Sequence, residues 1–293
     1  MVPAGQCPAR STSDDRQRES GGRRAGSLHP PGKVFDFLPG MTTVNLAALY
    51  GLDETAYVSL RDQFARQARQ GAEELLAEPP TAAAVDALAL SPGSTVAVIG
   101  ESTSDASDSW CQILGQMLQL RRPDADIRLV NAAVSGYPTT MCQRVLCGVL
   151  LRHRPDWVVL SVGGNDVLRY GVGAEKPLVS TAETARNLAE MRRLVVNSGA
   201  RPVWMTLAGL DVAMAASYPP LKAQQIWLSD ADVIAVSDVI RAQARSGDIV
   251  VDLQDTFGRP LDPAMLQPDG IHPSAAGQQA IARAFVWQLY RKQ

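Results

Sequence analysis

The sequence predicts a doubly wound α/β fold for the larger part of this 293-residue chain. Short runs of apolar, β-branched residues recur from residue 94 onward, and longer amphipathic stretches with helix start and stop signals separate them. Runs that are apolar throughout indicate strands buried on both faces, as in a parallel sheet covered by crossover helices. Polar clusters follow several of these runs directly, and this is where parallel sheets bind ligands.

Five apolar runs predict a flavodoxin-like, five-stranded parallel sheet with helices on both faces. The clearest helix lies between the third and fourth runs, where Ser180 and Glu183 have capping-box spacing and Gly199 follows the stretch Thr181–Asn197. The last helix is expected to begin near Ser274. The predicted strands are 95–99, 127–130, 157–162, 203–207 and 249–253.

Composition divides the chain into three parts. Residues 1–32 mix Arg, Ser, Gly and Pro with few large apolar side chains. We expect a disordered tail there, because such a segment buries too little surface to offset its ordering entropy. We expect a helical N-terminal appendage at residues 33–92 and the α/β domain at residues 93–293.

The appendage is predicted to hold two helices. Asp53 is placed to cap the first, the proline pair after Glu78 ends it, and Thr81 opens a short second helix that runs through Leu88. Three- and four-residue spacing predicts one buried face on the first helix. That face comprises Tyr57, Leu60, Phe64, Ala68, Ala72 and Leu75.

Charge and composition exclude several classes of function. A net charge of -2 and a pI near 6.0 give no long-range attraction to nucleic acid. No run of about 18 apolar residues is present and the N-terminus lacks a signal-peptide core, so we expect a cytoplasmic protein without a membrane partner. The four cysteines lack metal or disulfide spacing, and Cys142 and Cys147 are expected to be buried thiols. We expect neither a cofactor nor a metal, and the oligomeric state stays open.

Four polar motifs are placed to meet at one edge of the predicted sheet. "GESTSD" (100–105), "NAAVSGYP" (131–138) and "GGND" (163–166) follow the first three strands, and "DGIHP" (269–273) precedes the last helix. In order and placement, these blocks resemble those of the SGNH, or GDSL-like, hydrolase family over about residues 95–290. The first block has Glu101 where the family usually has Asp, and the second has Ala133 where the family often has Gly.

The residues of these motifs suit acyl transfer. Ester cleavage needs a nucleophile, a base that takes its proton, a group that orients the base, and donors facing the developing oxyanion. Ser102 would be the nucleophile, His272 the base, since an imidazole titrates near neutral pH, and Asp269 the orienting group. The resemblance further implies an oxyanion hole formed by the backbone N–H groups of Ser102 and Gly136 and the side-chain amide of Asn165. A glycine at 136 also lets a substrate approach the backbone.

The resulting hypothesis is a serine esterase acting on a small or short-chain ester, such as a sugar O-acetyl group. An acyltransferase with an alcohol or sugar acceptor would use the same groups. A flavin- or phosphate-binding protein would account for "GESTSD" but not for "DGIHP". A relative that binds without turnover is a further alternative, with Glu101 as the suspect feature. We expect Glu101 to hold the turn that carries Ser102.

Aromatic residues near the predicted strand ends are candidates for a substrate pocket. They are Tyr137, Tyr170, Tyr218 and Trp227, whereas Trp204 is expected to pack in the core.

Overall fold

The computed structural model describes residues 33, 38, 40–258 and 260–291, so the predicted tail at 1–32 lies outside the described residues. Within this part, the apolar runs form strands, and each begins or ends within a few residues of its predicted position. In chain order the strands are β1 (Thr95–Gly100), β2 (Arg128–Asn131), β3 (Trp157–Ser161), β4 (Arg169–Tyr170), β5 (Arg201–Met205), β6 (Ile226–Trp227) and β7 (Ile249–Val251).

The main sheet has the order β2-β1-β3-β5-β7, and all of its neighbours pair in parallel. This order confirms the doubly wound, flavodoxin-like fold, in which the chain reverses its direction of travel across the sheet next to β1. Val98 of β1 lies opposite Asn131, and Gly100 lies opposite Ser161. The loops that leave these three strands therefore start side by side at one edge.

Helices cover both faces of the sheet because alternate residues of each strand point to opposite sides. Val96 and Val98 join one core cluster, and Ala97 and Ile99 join the other. The helices are α1 (Thr43–Leu49), α2 (Glu54–Leu76), α3 (Pro79–Asp86), α4 (Ser102–Asp105), α5 (Trp110–Arg121), α6 (Thr139–His153), α7 (Thr181–Asn197), α8 (Val212–Ser217), α9 (Pro219–Ala223), α10 (Asp230–Gln243), α11 (Leu253–Thr256) and α12 (Ala275–Arg291).

The N-terminal helices share the core of the α/β domain. Asp53 caps α2 by accepting a 2.8 Å hydrogen bond from Ala56 N, which confirms the predicted start. Helix α2 packs against α5 and α12, and its Ala68, Ala72 and Leu75 are buried in the cluster that covers one face of the sheet. Deleting this segment would therefore uncover apolar surface of the domain.

The structure differs from the sequence predictions at several places. The sequence predicts two N-terminal helices, but the described part of the chain has three, because α1 precedes them. The helix expected to open at Thr81 is α3, which begins at Pro79, since proline suits the first turn of a helix, where no N–H bond is needed. Strands β4 and β6 form a separate two-stranded antiparallel sheet that two-residue runs could not signal. Cys142 is buried as expected, but the expectation for Cys147 is wrong, because its thiol lies on the exposed side of α6.

None of the helices in the described ranges combines the length and the apolarity that a membrane-spanning helix requires.

Candidate active site

Ser102 begins the short helix α4 directly after β1. Neighbouring residues of α4 are anchored from behind: Thr103 O accepts a 3.2 Å hydrogen bond from Gln278 Nε2, and Ser104 Oγ accepts one of 2.9 Å from Trp110 Nε1. Gln278 belongs to α12 and Trp110 to α5, so buried side chains of two helices hold α4 in place.

His272 links Ser102 to Asp269. Its Nε2 lies 2.9 Å from Ser102 Oγ, and its Nδ1 lies 2.6 Å from Asp269 Oδ2. The other carboxylate oxygen of Asp269 accepts 2.9 Å hydrogen bonds from the backbone N–H groups of Ile271 and His272. Gly270 makes this tight turn possible, because its φ is +70° and a Cβ there would lie 2.6 Å from Asp211 O. The structure thus brings together the three side chains that the sequence singled out.

Two opposing effects set the charge of Asp269. Partial burial pushes the pKa of this carboxyl upward, but the hydrogen bond and charge of His272, together with the two backbone N–H groups, outweigh it. The net pKa of Asp269 is below its usual value. The carboxylate is therefore ionised at neutral pH, and it favours a proton on Nδ1 of the imidazole, which leaves Nε2 as an acceptor.

Gly136 and Asn165 lie on the loops that follow β2 and β3. Gly136 has a φ of +80° in a turn closed by a 3.3 Å hydrogen bond from Tyr137 N to Val134 O, a conformation that favours glycine. One N–H of Asn165 Nδ2 donates to Glu101 Oε2, and Tyr137 O lies 3.3 Å from the same nitrogen. Asn165 is therefore tied to the residue that follows Gly136.

Glu101 holds a different loop from the one expected. Its side chain makes no capping bond to α4. Its Oε1 instead accepts a 2.6 Å hydrogen bond from Gly164 N, and its Oε2 accepts one of 2.9 Å from Asn165 N besides that from Asn165 Nδ2. Burial raises the pKa of Glu101 to about 7, and these donors oppose the rise. The Glu101 side chain thus reaches across to "GGND".

Two buried carboxylates were not singled out from the sequence. Asp166 is fully buried and accepts hydrogen bonds from Thr139 N, Thr139 Oγ1 and Thr184 Oγ1, at 2.8, 2.6 and 2.6 Å. It ties the loop after β3 to α6 and α7, and its position within "GGND" was the available signal. Asp105, at the end of α4, accepts bonds from Ser135 and from Lys33, a contact that the sequence does not signal.

Two cavities are lined in part by residues that neighbour Ser102, Asp269 or His272 in sequence. A small recess of about 70 Å³ is lined mainly by apolar side chains, among them Leu207, Leu210 and Ile271, beside Thr103 and Gly164. A larger cleft of about 1030 Å³ lies between the N-terminal helices and the segment 266–275. No group of three potential metal ligands occurs within the described ranges.

Two of the predicted pocket aromatics, Tyr170 and Trp227, lie exposed on the small β4–β6 sheet. Trp204 is fully buried in the core, as expected.

Comparison with known proteins shows the family of this chain. Residues 93–280 match the model of the GDSL-like Lipase/Acylhydrolase family. The chain belongs to this family. The match confirms the resemblance that the four motifs carry, and it identifies the chain as an enzyme of the SGNH type, a class of carboxylic ester hydrolases.

Individual relatives have low sequence identity, but the alignments cover most of each relative's length. The chain is 28% identical to esterase TesA of Pseudomonas aeruginosa over 189 residues, which are 63% of this chain and 82% of that protein. It is 27% identical to an acetylxylan esterase of Geobacillus stearothermophilus over 179 residues, 59% of this chain and 77% of that one. A crystal structure of LAE5, an alpha/beta hydrolase enzyme from the metagenome of Lake Arreo, shares the fold with a TM-score of 0.55 and 23% identity, and the alignment covers 68% of this chain and 96% of that one.

Proposed function

We propose that this enzyme hydrolyses small or short-chain esters with Ser102 as nucleophile, His272 as general base and Asp269 as the group that orients the imidazole. The observation that carries the proposal is the pair of contacts made by one imidazole: Nε2 lies 2.9 Å from Ser102 Oγ, and Nδ1 lies 2.6 Å from Asp269 Oδ2. Both distances are within the hydrogen-bond reach that proton transfer requires.

The chemistry follows from this pairing. Ser102 Oγ adds to the ester carbonyl while its proton passes to His272 Nε2, and the imidazolium returns that proton to the departing alcohol. Water then attacks the acyl-enzyme by the same route and releases the acid. Asp269, ionised at neutral pH, stabilises the imidazolium that forms in each half-reaction.

The oxyanion would face three donors: Ser102 N, Gly136 N and Asn165 Nδ2. The 3.3 Å bond from Asn165 Nδ2 to Tyr137 O is long, and it is the one that an oxyanion would replace. The bond from the same nitrogen to Glu101 would stay in place and keep the amide aimed at the substrate.

The recess beside Thr103 and Gly164 supports a short acyl group. Its volume of about 70 Å³ is small for a ligand site, and its lining is mainly apolar. The similarity to an acetylxylan esterase supports a sugar O-acetyl group as the natural ester.

A panel of p-nitrophenyl esters from acetate to palmitate tests the proposal. We expect kcat/KM to be highest for the shortest chains, and Ser102→Ala or His272→Ala to lower it by at least ~10³-fold while the fold is kept. Substantial turnover by folded Ser102→Ala would overturn the proposal.

Acyl transfer is the second candidate, because the acyl-enzyme can react with an alcohol in place of water. The cleft of about 1030 Å³ favours it: Gln63 and Gln67 offer amide groups to hydroxyls, and Pro268 and Gln267 of the same cleft directly precede Asp269. Adding xylose or glucose to the ester assay distinguishes the two reactions, since a transferase yields acylated sugar, detectable by mass spectrometry, in place of free acid.

A further inference from the structure

Lys33 precedes the family-matched region, which begins at residue 93, yet it contacts a helix and a loop of the site. Its Nζ lies 2.7 Å from Asp105 Oδ1 and donates a 3.2 Å hydrogen bond to Ala133 O. Asp105 ends the helix that Ser102 begins, and Ala133 lies on the loop after β2. One ammonium group therefore joins the nucleophile helix to the loop that carries Gly136.

Asp105 also binds Ser135. Its Oδ2 accepts hydrogen bonds from Ser135 N at 3.1 Å and from Ser135 Oγ at 2.7 Å. Ser135 is the residue before Gly136, in the turn closed by Tyr137 N and Val134 O. The φ of +80° at Gly136 is typical of the third position of a type II turn. Holding Ser135 therefore sets the direction of the next peptide, whose N–H is the Gly136 donor.

The charge of Lys33 is needed because Asp105 is buried. The Asp105 side chain is 3% exposed, whereas the Lys33 side chain is 26% exposed. A buried carboxylate that loses its cation keeps the cost of desolvation without the compensating attraction. The carboxylate would then hold Ser135 less firmly.

We propose that Lys33 is a positioning residue for the oxyanion hole, acting through Asp105 and Ser135 on the N–H of Gly136. The N-terminal segment, which lies outside the family-matched region, thereby completes the active site. This inference rests on the proposed function of Ser102 and Gly136.

The test uses the full chain with Lys33→Met, which removes the charge but keeps the stem, and Lys33→Arg, which keeps the charge. Arg192→Met is the matched control, because the Arg192–Asp248 pair has similar side-chain exposure, 23% and 10%, and Asp248 lies just before β7, at the edge of the sheet opposite Ser102. The readouts are kcat and KM for p-nitrophenyl acetate, the melting temperature, and the Ki of phenylboronic acid. In that inhibitor the serine oxygen adds to boron and its proton passes to His272, giving a tetrahedral adduct that faces the oxyanion donors.

We expect Lys33→Met to lower kcat about tenfold and to raise the boronic acid Ki by a similar factor, with KM changed by less than about twofold. Lys33→Arg should keep kcat within about threefold of wild type, because a guanidinium also pairs with a carboxylate. Arg192→Met should lower the melting temperature without changing kcat or Ki. In the Asp105→Asn background, Lys33→Met should add little further loss, because both act through one carboxylate.

Three results would overturn the inference. Wild-type kcat and Ki in folded Lys33→Met would show that the lysine does not act on the oxyanion donors. An equal loss of kcat in Arg192→Met at the same loss of melting temperature would show a general effect of stability. If Ser102→Ala keeps wild-type turnover, the proposed function fails and the inference fails with it. If turnover depends on Ser102 but not on Lys33, only the inference is refuted.

Discussion

Replacing Glu101 with alanine removes the acceptor from the loop that presents Asn165. Gly164 N and Asn165 N lose their partner, whereas Asn165 Nδ2 keeps only the long bond to Tyr137 O. An unsatisfied buried donor costs about 1–3 kcal/mol, so the two backbone groups together lower the free energy of unfolding by about 4 kcal/mol.

The cost of the alanine substitution should depend on pH because Glu101 titrates within the accessible range. Burial raises the pKa of this carboxyl from 4.5 to about 7, so the folded state binds the proton more tightly than the unfolded state. Tighter proton binding by Glu101 thus adds about 3 kcal/mol to the free energy of unfolding. This contribution is present in full below about pH 4.5 and is lost as the pH rises through 7. Alanine avoids this loss, so its net cost should fall from about 4 kcal/mol near pH 5 to about 1 kcal/mol at pH 8.

Urea unfolding of wild type and Glu101→Ala at pH 5 and pH 8 measures this difference, and steady-state kinetics at pH 8 measures the effect on the site. We expect kcat to fall about 10²-fold at pH 8, where the stability loss is small, because the Asn165 amide is no longer held in line. An equal loss of unfolding free energy at the two pH values would refute the titration of a buried carboxylate. An unchanged kcat would refute the role of Glu101 in holding Asn165.

Further predictions concern the loop that carries Asn165 and the N-terminal segment. Glu101→Asp should keep the fold and change kcat by less than about tenfold. Adding Gly164→Ala to the wild-type chain should lower the free energy of unfolding more than adding it to the Glu101→Asp variant, because the new Cβ would lie 2.8 Å from Glu101 Oε1. An equal loss in the two backgrounds, measured by urea unfolding, would argue against this contact. Asn165→Ala should lower kcat by ~10²- to 10³-fold with little change in KM, whereas a change confined to KM would make Asn165 a substrate-binding residue. Deleting residues 1–32 should leave the melting temperature and kcat nearly unchanged. Deleting residues 1–90 should lower solubility, because it uncovers the surface that α2 buries. If both truncated proteins are as soluble as the full chain, the core is not shared.

The sheet was predictable because its strands are buried on both faces. Val96 to Ile99 and Trp157 to Leu160 are apolar without interruption, and such runs are typical of parallel strands when helix signals lie between them. The capping box at Ser180 likewise marks the start of α7 correctly. Strands β4 and β6 carry no comparable signal, because two residues show no periodicity and their pairing depends on the fold around them.

The positions of candidate site residues at strand ends were predictable from the sequence. Contacts made by long side chains between distant segments were not. Ser102 follows a strand and His272 precedes a helix, so topology alone brings them to one edge. Glu101 contacts residues 63 and 64 positions away, and local sequence spacing does not indicate partners at that distance. Lys33 pairs with Asp105 across 72 positions, and no spacing rule connects residues so far apart.

The most direct test of the central claim is covalent labelling of the folded protein with a fluorophosphonate, followed by peptide mass spectrometry. The oxygen of an activated serine attacks phosphorus and displaces fluoride, so the site of the adduct identifies the nucleophile. We predict a single adduct on the peptide that contains Ser102, and a strongly reduced rate of labelling in His272→Ala. An adduct on another residue, or no adduct on folded protein, would contradict the assignment of Ser102 as the nucleophile.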